Sequence, residues 1–313
     1  MGKIKHVLVA GGAGFIGLNL IQKLLNTGHH VICLDNFISS HEEAINDIEH
    51  SSNLEILEHD IIQPVNIKVN AIYNLACAGS PKRYQDDPIH TLRTSVYGVD
   101  NLSQLALKNQ CPMFHSSTSE IYGEPMSHPQ KETDWGNVNT LGIRACYDEG
   151  KRAAEALLYD YQRRYKLDIR VARVFNTYGP KMHADDGRVV SNFINQALRS
   201  EPITIFGEGQ QTRSLCYIDD LIIGIQKMMA LPVAPNTPIN LGNSDEYSIK
   251  QIAERISKVL NKELTYEYHP LPQDDPTRRN PDISLAKSLL DWSPQTSMTE
   301  GLEKTIHYFQ SQL

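Results

Sequence analysis

The stretch Ala10-Gly11-Gly12-Ala13-Gly14-Phe15-Ile16-Gly17 decides how the N-terminal half of the chain is read. A short apolar run, HVLVA over His6–Ala10, precedes it, and apolar residues at helical spacing follow over positions 15 to 25, so the segment reads as strand, tight turn, helix. The glycines fit two registers, G-x-G-x-x-G from Gly12 or G-x-x-G-x-x-G from Gly11, and both put bare backbone at a helix start. Unpaired N–H groups and the positive end of the helix dipole at such a point stabilise a pyrophosphate. Glycines alone would equally serve a plain turn; Asp35 tips the reading. It closes a second apolar run, 31 to 34, close to the spacing of about 20 residues at which a carboxylate accepts hydrogen bonds from an adenosine ribose. An acid there repels a 2′-phosphate, so the expected dinucleotide is NAD rather than NADP.

Outward from this turn, positions 72 to 76 and 113 to 116 read as further strands and 94 to 108 and 150 to 165 as helices, with one more buried strand at 169 to 175. Alternating strands and helices predict an α/β fold, a Rossmann-type doubly wound parallel sheet. Asn176-Thr177-Tyr178-Gly179-Pro180 ends the last strand with turn residues, which places the boundary of the NAD-binding domain at residue 177. Residues 178–313 are richer in Asp-, Gly- and Pro-containing loops, with helical patterns near 189 to 199 and 299 to 311 and an apolar segment at 217 to 230, and read as a smaller C-terminal substrate-binding domain. No internal repeat or low-complexity tract interrupts either part.

The chain has 313 residues, enough for two domains at roughly 100–200 residues each. With 40% hydrophobic and 21% charged residues, it is an ordinary globular sequence, which excludes disorder, collagen and coiled coil. Thirty basic against thirty-seven acidic residues give a net charge of -7, a poor footprint for a nucleic-acid binder, so an anionic ligand must meet local donors. Five scattered cysteines without a C-x-x-C predict neither a disulfide framework nor a thiolate zinc site and fit a reducing compartment. No apolar stretch reaches about 18 residues and the first residues lack a signal-peptide core, so a cytoplasmic protein with no membrane association is expected.

Two more clusters carry chemistry. In Tyr147-Asp148-Glu149-Gly150-Lys151 the phenol and ammonium fall at i and i+4 of one helix face, where a lysine cation beside an oxidised nicotinamide lowers the phenol's pKa from about 10 toward neutrality and makes it a general base. Ser117-Thr118-Ser119-Glu120-Ile121-Tyr122-Gly123 gathers hydroxyls and a carboxylate just after a strand, at the carboxyl edge where parallel sheets hold ligands; a capping or turn cluster is the other reading. His183, Asp185 and Asp186 share one polar loop without a fourth ligand, so no metal is assigned, and Cys146 reads as a packed thiol.

Together these residues resemble the extended short-chain dehydrogenase/reductase family of nucleotide-sugar epimerases, dehydratases and decarboxylases, across essentially the whole chain. The runs at 144–152 (RACYDEGKR), 173–180 (RVFNTYGP), 186–193 (DGRVVSNF) and 273–276 (QDDP) are most similar to its UDP-glucuronate decarboxylases. That resemblance implies NAD held by Gly11, Gly14, Phe15, Ile16, Gly17, Asp35, Asn36, Asp60, Ile61, Leu75, Tyr147 and Lys151. It implies that Thr118 hydrogen-bonds the sugar's 4-hydroxyl while Tyr147 removes its proton, and that Lys151 holds the nicotinamide ribose and tunes Tyr147. Glu120 and Arg279 match positions linked to decarboxylation through a 4-keto intermediate. Tyr84 and Ser119 match positions near the sugar carboxylate, and Asn176, Arg188, Arg213 and Arg279 positions around the UDP moiety.

The implied reaction is NAD-dependent conversion of UDP-glucuronate to UDP-xylose, with the cofactor regenerated in each turnover. A UDP-uronate 4-epimerase and a non-catalytic dinucleotide-sensing protein remain as alternatives, although Thr118, Glu120, Tyr147 and Lys151 are all present. The related dehydratases carry an acid where this chain has Ser119, which removes the proton donor for a departing hydroxyl. The loop at 74–84 (NLACAGSPKRY) and Ser95 depart from the family pattern, and Lys82 and Arg83 read as solvated charges rather than sugar ligands. The resemblance also implies a homodimer built on the Tyr147 helix and return of residues 217–240 to the first domain.

Overall fold

A computed structural model describes residues 5–48, 51–273 and 278–313. The last three residues of the QDDP run, Asp274, Asp275 and Pro276, lie outside the described residues.

Six strands are numbered along the chain: β1 (His6–Ala10), β2 (His30–Asp35), β3 (Leu54–Glu58), β4 (Ala71–Asn74), β5 (Met113–Thr118) and β6 (Ile169–Val174). With an edge strand at Ile239–Leu241 they form a seven-stranded sheet ordered Ile239–Leu241, β6, β5, β4, β1, β2, β3, and every pairing is parallel. Reversal of strand order at β1 is the doubly wound arrangement, and it opens a ligand crevice beyond the carboxyl ends of β1 and β4.

The strands are continuously apolar because both faces are covered. Val7, Val9, Val31 and Cys33 enter one core together with α1 (Phe15–Asn26) and the helix Ile218–Met229. The alternating residues Leu8, Ala10, Ile32 and Leu34 enter the other, against the helices Val99–Asn109 and Ala145–Tyr165. Ile218–Met229 packs on α1, and Ile239–Leu241 continues the sheet beside β6.

The rest of the chain past residue 178 builds small sheets from short strands. Ile203–Phe206 pairs with Tyr266–His269, while Thr212–Ser214 lies between Glu246–Ser248 and Arg278–Arg279. The helices Val189–Arg199, Ile249–Leu260 and Met298–Ser311 pack on one another beneath them.

The structure extends the sequence reading in three places. The helix expected at 150–165 starts at Ala145, so Tyr147 sits in its first turn. The helix expected at 94–108 is preceded by Pro88–Arg93 and begins as a π-turn at Thr94–Gly98 before continuing to Asn109. β3, not expected at all, is an edge strand with charged and exposed positions, so its apolar signal is weak.

Candidate active site

The glycine turn is shaped by close approach. Gly11 has φ +75°, and a Cβ there would stand 2.6 Å from the Ala76 backbone nitrogen. Gly17 lies over the turn, where a Cβ would come within 2.4 Å of the Gly11 carbonyl oxygen, so its role is to let α1 pack on the turn. Gly14 precedes α1, which has no side-chain cap and no acid in its first turn, leaving the helix N-terminus available to an anion.

Asp35 ends β2 at the same crevice. Its carboxylate accepts from the Ala13 amide (2.9 Å), the Phe37 amide (3.0 Å) and the Ser40 hydroxyl (2.8 Å). Of about four acceptor positions on an ionised carboxylate, one therefore remains for a ligand hydroxyl. Asp60 accepts from Asn36 (3.0 Å), the Ile62 amide (3.0 Å) and His90 (2.7 Å). Burial opposes its charge, but these bonds prevail and hold its pKa below the ordinary value.

Gly11, Gly14, Asp35, Asn36, Ile61 and Leu75 line one cavity. A second, of about 470 Å³, is lined by Ile16, Leu75, Tyr84, Ser119, Tyr147, Lys151, Asn176, Arg188 and Arg213, together with Thr118 and Glu120. Leu75 and Cys77 border both, so one elongated ligand can run from the glycine turn to Tyr147. Phe15 touches neither space directly; its ring lies under the Arg188 guanidinium at 5.6 Å.

β5 and the helix Ala145–Tyr165 meet at the floor of the second cavity. Thr118 caps the turn Ser119–Tyr122 by accepting from the Glu120 amide at 3.2 Å, and its side chain lies beside Tyr147, where it favours the phenolate. Tyr147 stacks on Tyr84, whose own hydroxyl is buried without a hydrogen-bond partner. Lys151 donates to the Ser116 carbonyl at 2.7 Å, with its ammonium 5.9 Å from the centre of the Tyr147 ring.

In the protein alone the Tyr147 pKa is raised, first by burial and then by the nearby Cys77. Lys151 is itself buried, which lowers its pKa, and its ammonium donates to the Ser116 carbonyl. The expected lowering joins Lys151 to an oxidised nicotinamide, whose positive charge comes with the cofactor.

Glu120 is the most strongly anchored anion in the site. Arg144 donates to it at 2.7 Å, and Arg279 approaches both oxygens at 3.4 Å. Burial alone would raise its carboxyl, but Arg279 and then Arg144 outweigh that and hold it down at about 2. Arg279 is only 1% exposed and stands behind Glu120, outside the cavity lining, whereas Arg144 lines it. A guanidinium so deeply buried needs a carboxylate beside it, and Glu120 supplies one. Sequence reading assigns Arg144 no role; its place three residues before Tyr147 was the available signal. Asp148 is a second unassigned acid, pushed up to about 7 by burial and then by Glu120.

Elsewhere, Arg188 is paired with Asp186, leaving His183 with Asp185. Lys82 and Arg83 both reach Asp185 at 3.5 Å, so these two charges bridge across the cleft. The Cys146 thiol lies 3.6 Å from the Tyr84 carbonyl, and burial raises its pKa, the opposite of an activated nucleophile. Among the described residues no group of three or more His, Cys, Asp or Glu side chains is placed to hold a metal, and no helix is long and apolar enough to cross a membrane.

Residues 7–242 match the NAD dependent epimerase/dehydratase family, and the chain belongs to it. It is 46% identical over 309 residues to UDP-glucuronic acid decarboxylase 1 of Xenopus tropicalis, covering 99% of this chain and 73% of that one. To UDP-glucuronic acid decarboxylase 1 of Arabidopsis thaliana it is 44% identical over 308 residues, covering 98% and 70%. Among solved structures, UDP-glucuronic acid 4-epimerase from Bacillus cereus, in complex with UDP-glucuronic acid and NAD, superimposes with a TM-score of 0.88 at 28% identity, over 98% of this chain and 100% of that one. NAD fits the residues present: a bare helix N-terminus behind a turn that only glycine can make, and a ribose-facing carboxylate with one acceptor position left.

Proposed function

We propose that this protein is an NAD-dependent UDP-glucuronate decarboxylase that forms UDP-xylose through a 4-keto sugar. The observation that carries the reading is the placement, in one cavity, of Thr118 and Tyr147 beside a Glu120 carboxylate fixed by two guanidinium groups, with Ser119 where a dehydrating enzyme needs an acid. The decarboxylase relatives at 44–46% identity support it.

Residues 1–177, with 217–240, form the part that holds NAD, and residues 178–313 the part that holds the nucleotide sugar. Gly11, Gly14 and the N-terminus of α1 receive the pyrophosphate, Asp35 the adenosine ribose, and Asn36, Asp60, Ile61 and Leu75 the adenine side and the path to Tyr147. When bound, NAD supplies the reversible hydride acceptor that turns the C4 alcohol into a ketone and back, so no net oxidant is consumed.

Thr118 orients the 4-hydroxyl and Tyr147 accepts its proton. Lys151, held by the Ser116 carbonyl one helical turn from Tyr147, places a fixed cation beside the developing phenolate. A C4 ketone stands beta to the sugar carboxylate, so the bond to carbon dioxide breaks with its electron pair delocalised into an enolate, and C5 then takes a proton. Glu120 stays ionised throughout the working range and acts as an anchor for Arg144 rather than as a proton donor. Arg188, Arg213 and Asn176 provide the diphosphate and uridine contacts, which suit guanidinium geometry.

The partner surface fits a second copy of the chain: Ile89, Leu92 and Tyr97, on the helical run beside the Tyr147 helix, are exposed apolar residues. A homodimer through these helices and a reducing, cytoplasmic setting for the five free cysteines complete the reading. Incubation with several UDP-hexuronates, measuring gas evolved and sugar formed, tests the reaction. A six-carbon product inverted at C4 assigns the chain to epimerisation instead, and sedimentation as a monomer at micromolar concentration rejects the dimer.

A further inference from the structure

Arg279 sits on a two-residue strand, and backbone pairing with Arg213 on one side does not by itself fix the depth at which its guanidinium meets Glu120. The other side of the segment is gripped by one residue, through its backbone and its side chain. Gln130, 1% exposed, accepts from the Asn280 amide through Oε1 (2.9 Å) and donates through Nε2 to the Ser127 carbonyl (2.9 Å). Its backbone amide donates to the Asn280 carbonyl (2.8 Å), and its carbonyl accepts from the Asp282 amide (2.8 Å). The residue next to Arg279 is thus held from both its amide and its carbonyl.

This grip is tied to the other end of the site through buried hydrogen bonds. Asn240, on the edge strand, donates to the Gln130 carbonyl (3.0 Å) and the Asp282 carbonyl (3.1 Å) and accepts from the Tyr122 hydroxyl (2.7 Å). Arg173 donates to Tyr122 (2.9 Å) and makes a bidentate pair with Glu155 (3.1 and 2.9 Å). Glu155 also accepts from Ser117 and lies one turn beyond Lys151 on the helix of Tyr147. A continuous polar chain therefore joins the helix that carries the base to the strand that carries Arg279. Fully satisfied networks of this kind rigidify what they connect.

We propose that Gln130 is a positioning residue: it sets the register of the Arg279 segment so that the guanidinium meets Glu120, and through that pair it governs the carbon dioxide step rather than the oxidation step. The last clause rests on the decarboxylase reading; the positioning itself does not. Arg144 reaches Glu120 from the Tyr147 helix without Gln130, so loss of the grip removes one of two anchors and leaves the Thr118–Tyr147 pair in place.

Two readouts of Gln130→Met, which keeps the volume and the main-chain bonds and loses the two side-chain hydrogen bonds, test this. In protein labelled at glutamate side-chain carboxyls, with the Glu120 signal assigned by E120Q, the Glu120 titration moves up by about one unit or more, since the Arg279 charge shifts away from it. In single-turnover reactions with UDP-glucuronate, the rise of reduced cofactor stays within about threefold of wild type while carbon dioxide release slows by about 100-fold, the order reached by small misplacement of a catalytic group. Asn240→Ser, which removes the donor to Gln130 and Asp282, moves both readouts in the same direction by less and serves if Gln130→Met does not fold. An unmoved Glu120 titration in a folded variant, or oxidation and gas release falling together, overturns the proposal. Because the titration needs no turnover, it still decides the role of Gln130 if wild-type protein releases no carbon dioxide, a result that would instead remove the decarboxylase reading.

Discussion

The rings of Tyr84 and Tyr147 lie face to face, with centroids 5.0 Å apart and planes 5° from parallel. The stack fixes the plane of the phenol that must meet the sugar's 4-hydroxyl, and it presents a buried Tyr84 hydroxyl with no partner in the protein. A polar group left unpaired in such a place is a site for a ligand acceptor. Tyr84→Phe keeps the stack and is expected to leave kcat within about threefold while raising KM for UDP-glucuronate about tenfold, the loss of one hydrogen bond to a charged group. Tyr84→Leu also removes the stack and lowers kcat. Steady-state kinetics separates the two; an unchanged KM in Tyr84→Phe refutes the contact.

Tyr147→Phe removes the proton acceptor without disturbing the ring packing. Reduced cofactor should form at least about 100-fold more slowly in a single turnover, within the range for loss of a general base. Thermal stability should hardly change. Turnover at the wild-type rate contradicts the assignment of Tyr147.

Lys82 and Arg83 engage Asp185 through exposed or half-exposed side chains, a geometry worth about 1 kcal/mol or less for each pair. The double variant K82A/R83A should therefore keep its stability within about that margin and its KM within about threefold. A tenfold rise in KM would show that these residues meet the sugar carboxylate after all.

Glu120 titrates at about 2 in the folded protein against an ordinary value of 4.5. A carboxyl depressed in this way contributes stability above pH 4.5, and that contribution is lost as pH falls through 4.5 toward 2. The contribution is on the order of 3 kcal/mol. E120Q should be less stable than wild type at neutral pH, because two buried guanidinium groups lose their anion, and its denaturant-unfolding stability should fall less steeply in acid. Parallel acid limbs for the two proteins would contradict this.

What the sequence made legible was mostly local in the chain. The glycine turn, Asp35 at the end of β2, and the i, i+4 pairing of Tyr147 with Lys151 each follow from spacing within one strand–turn–helix unit. The rise of the Tyr147 pKa in the protein alone was not legible, because burial and the Cys77 neighbour are properties of the folded site, brought in from a separate loop. Arg279 was found through resemblance, but its place behind Glu120 comes from a segment whose partners lie far earlier in the chain, Arg213 beside Arg279 itself and Gln130 beside Asn280. Short strands such as Thr212–Ser214 and Arg278–Arg279 carry too few residues to show a period of two. β3 escaped because one side of an edge strand faces solvent and its alternation is mixed with charge.

The central claim is that a transient C4 ketone makes the sugar carboxylate leave. Purified protein supplied with UDP-glucuronate labelled with carbon-13 at the carboxyl tests it most directly. The account predicts one labelled carbon dioxide for each UDP-pentose formed, with total NAD unchanged at completion. Conversion that leaves the label on a six-carbon sugar, with no gas released, would contradict it.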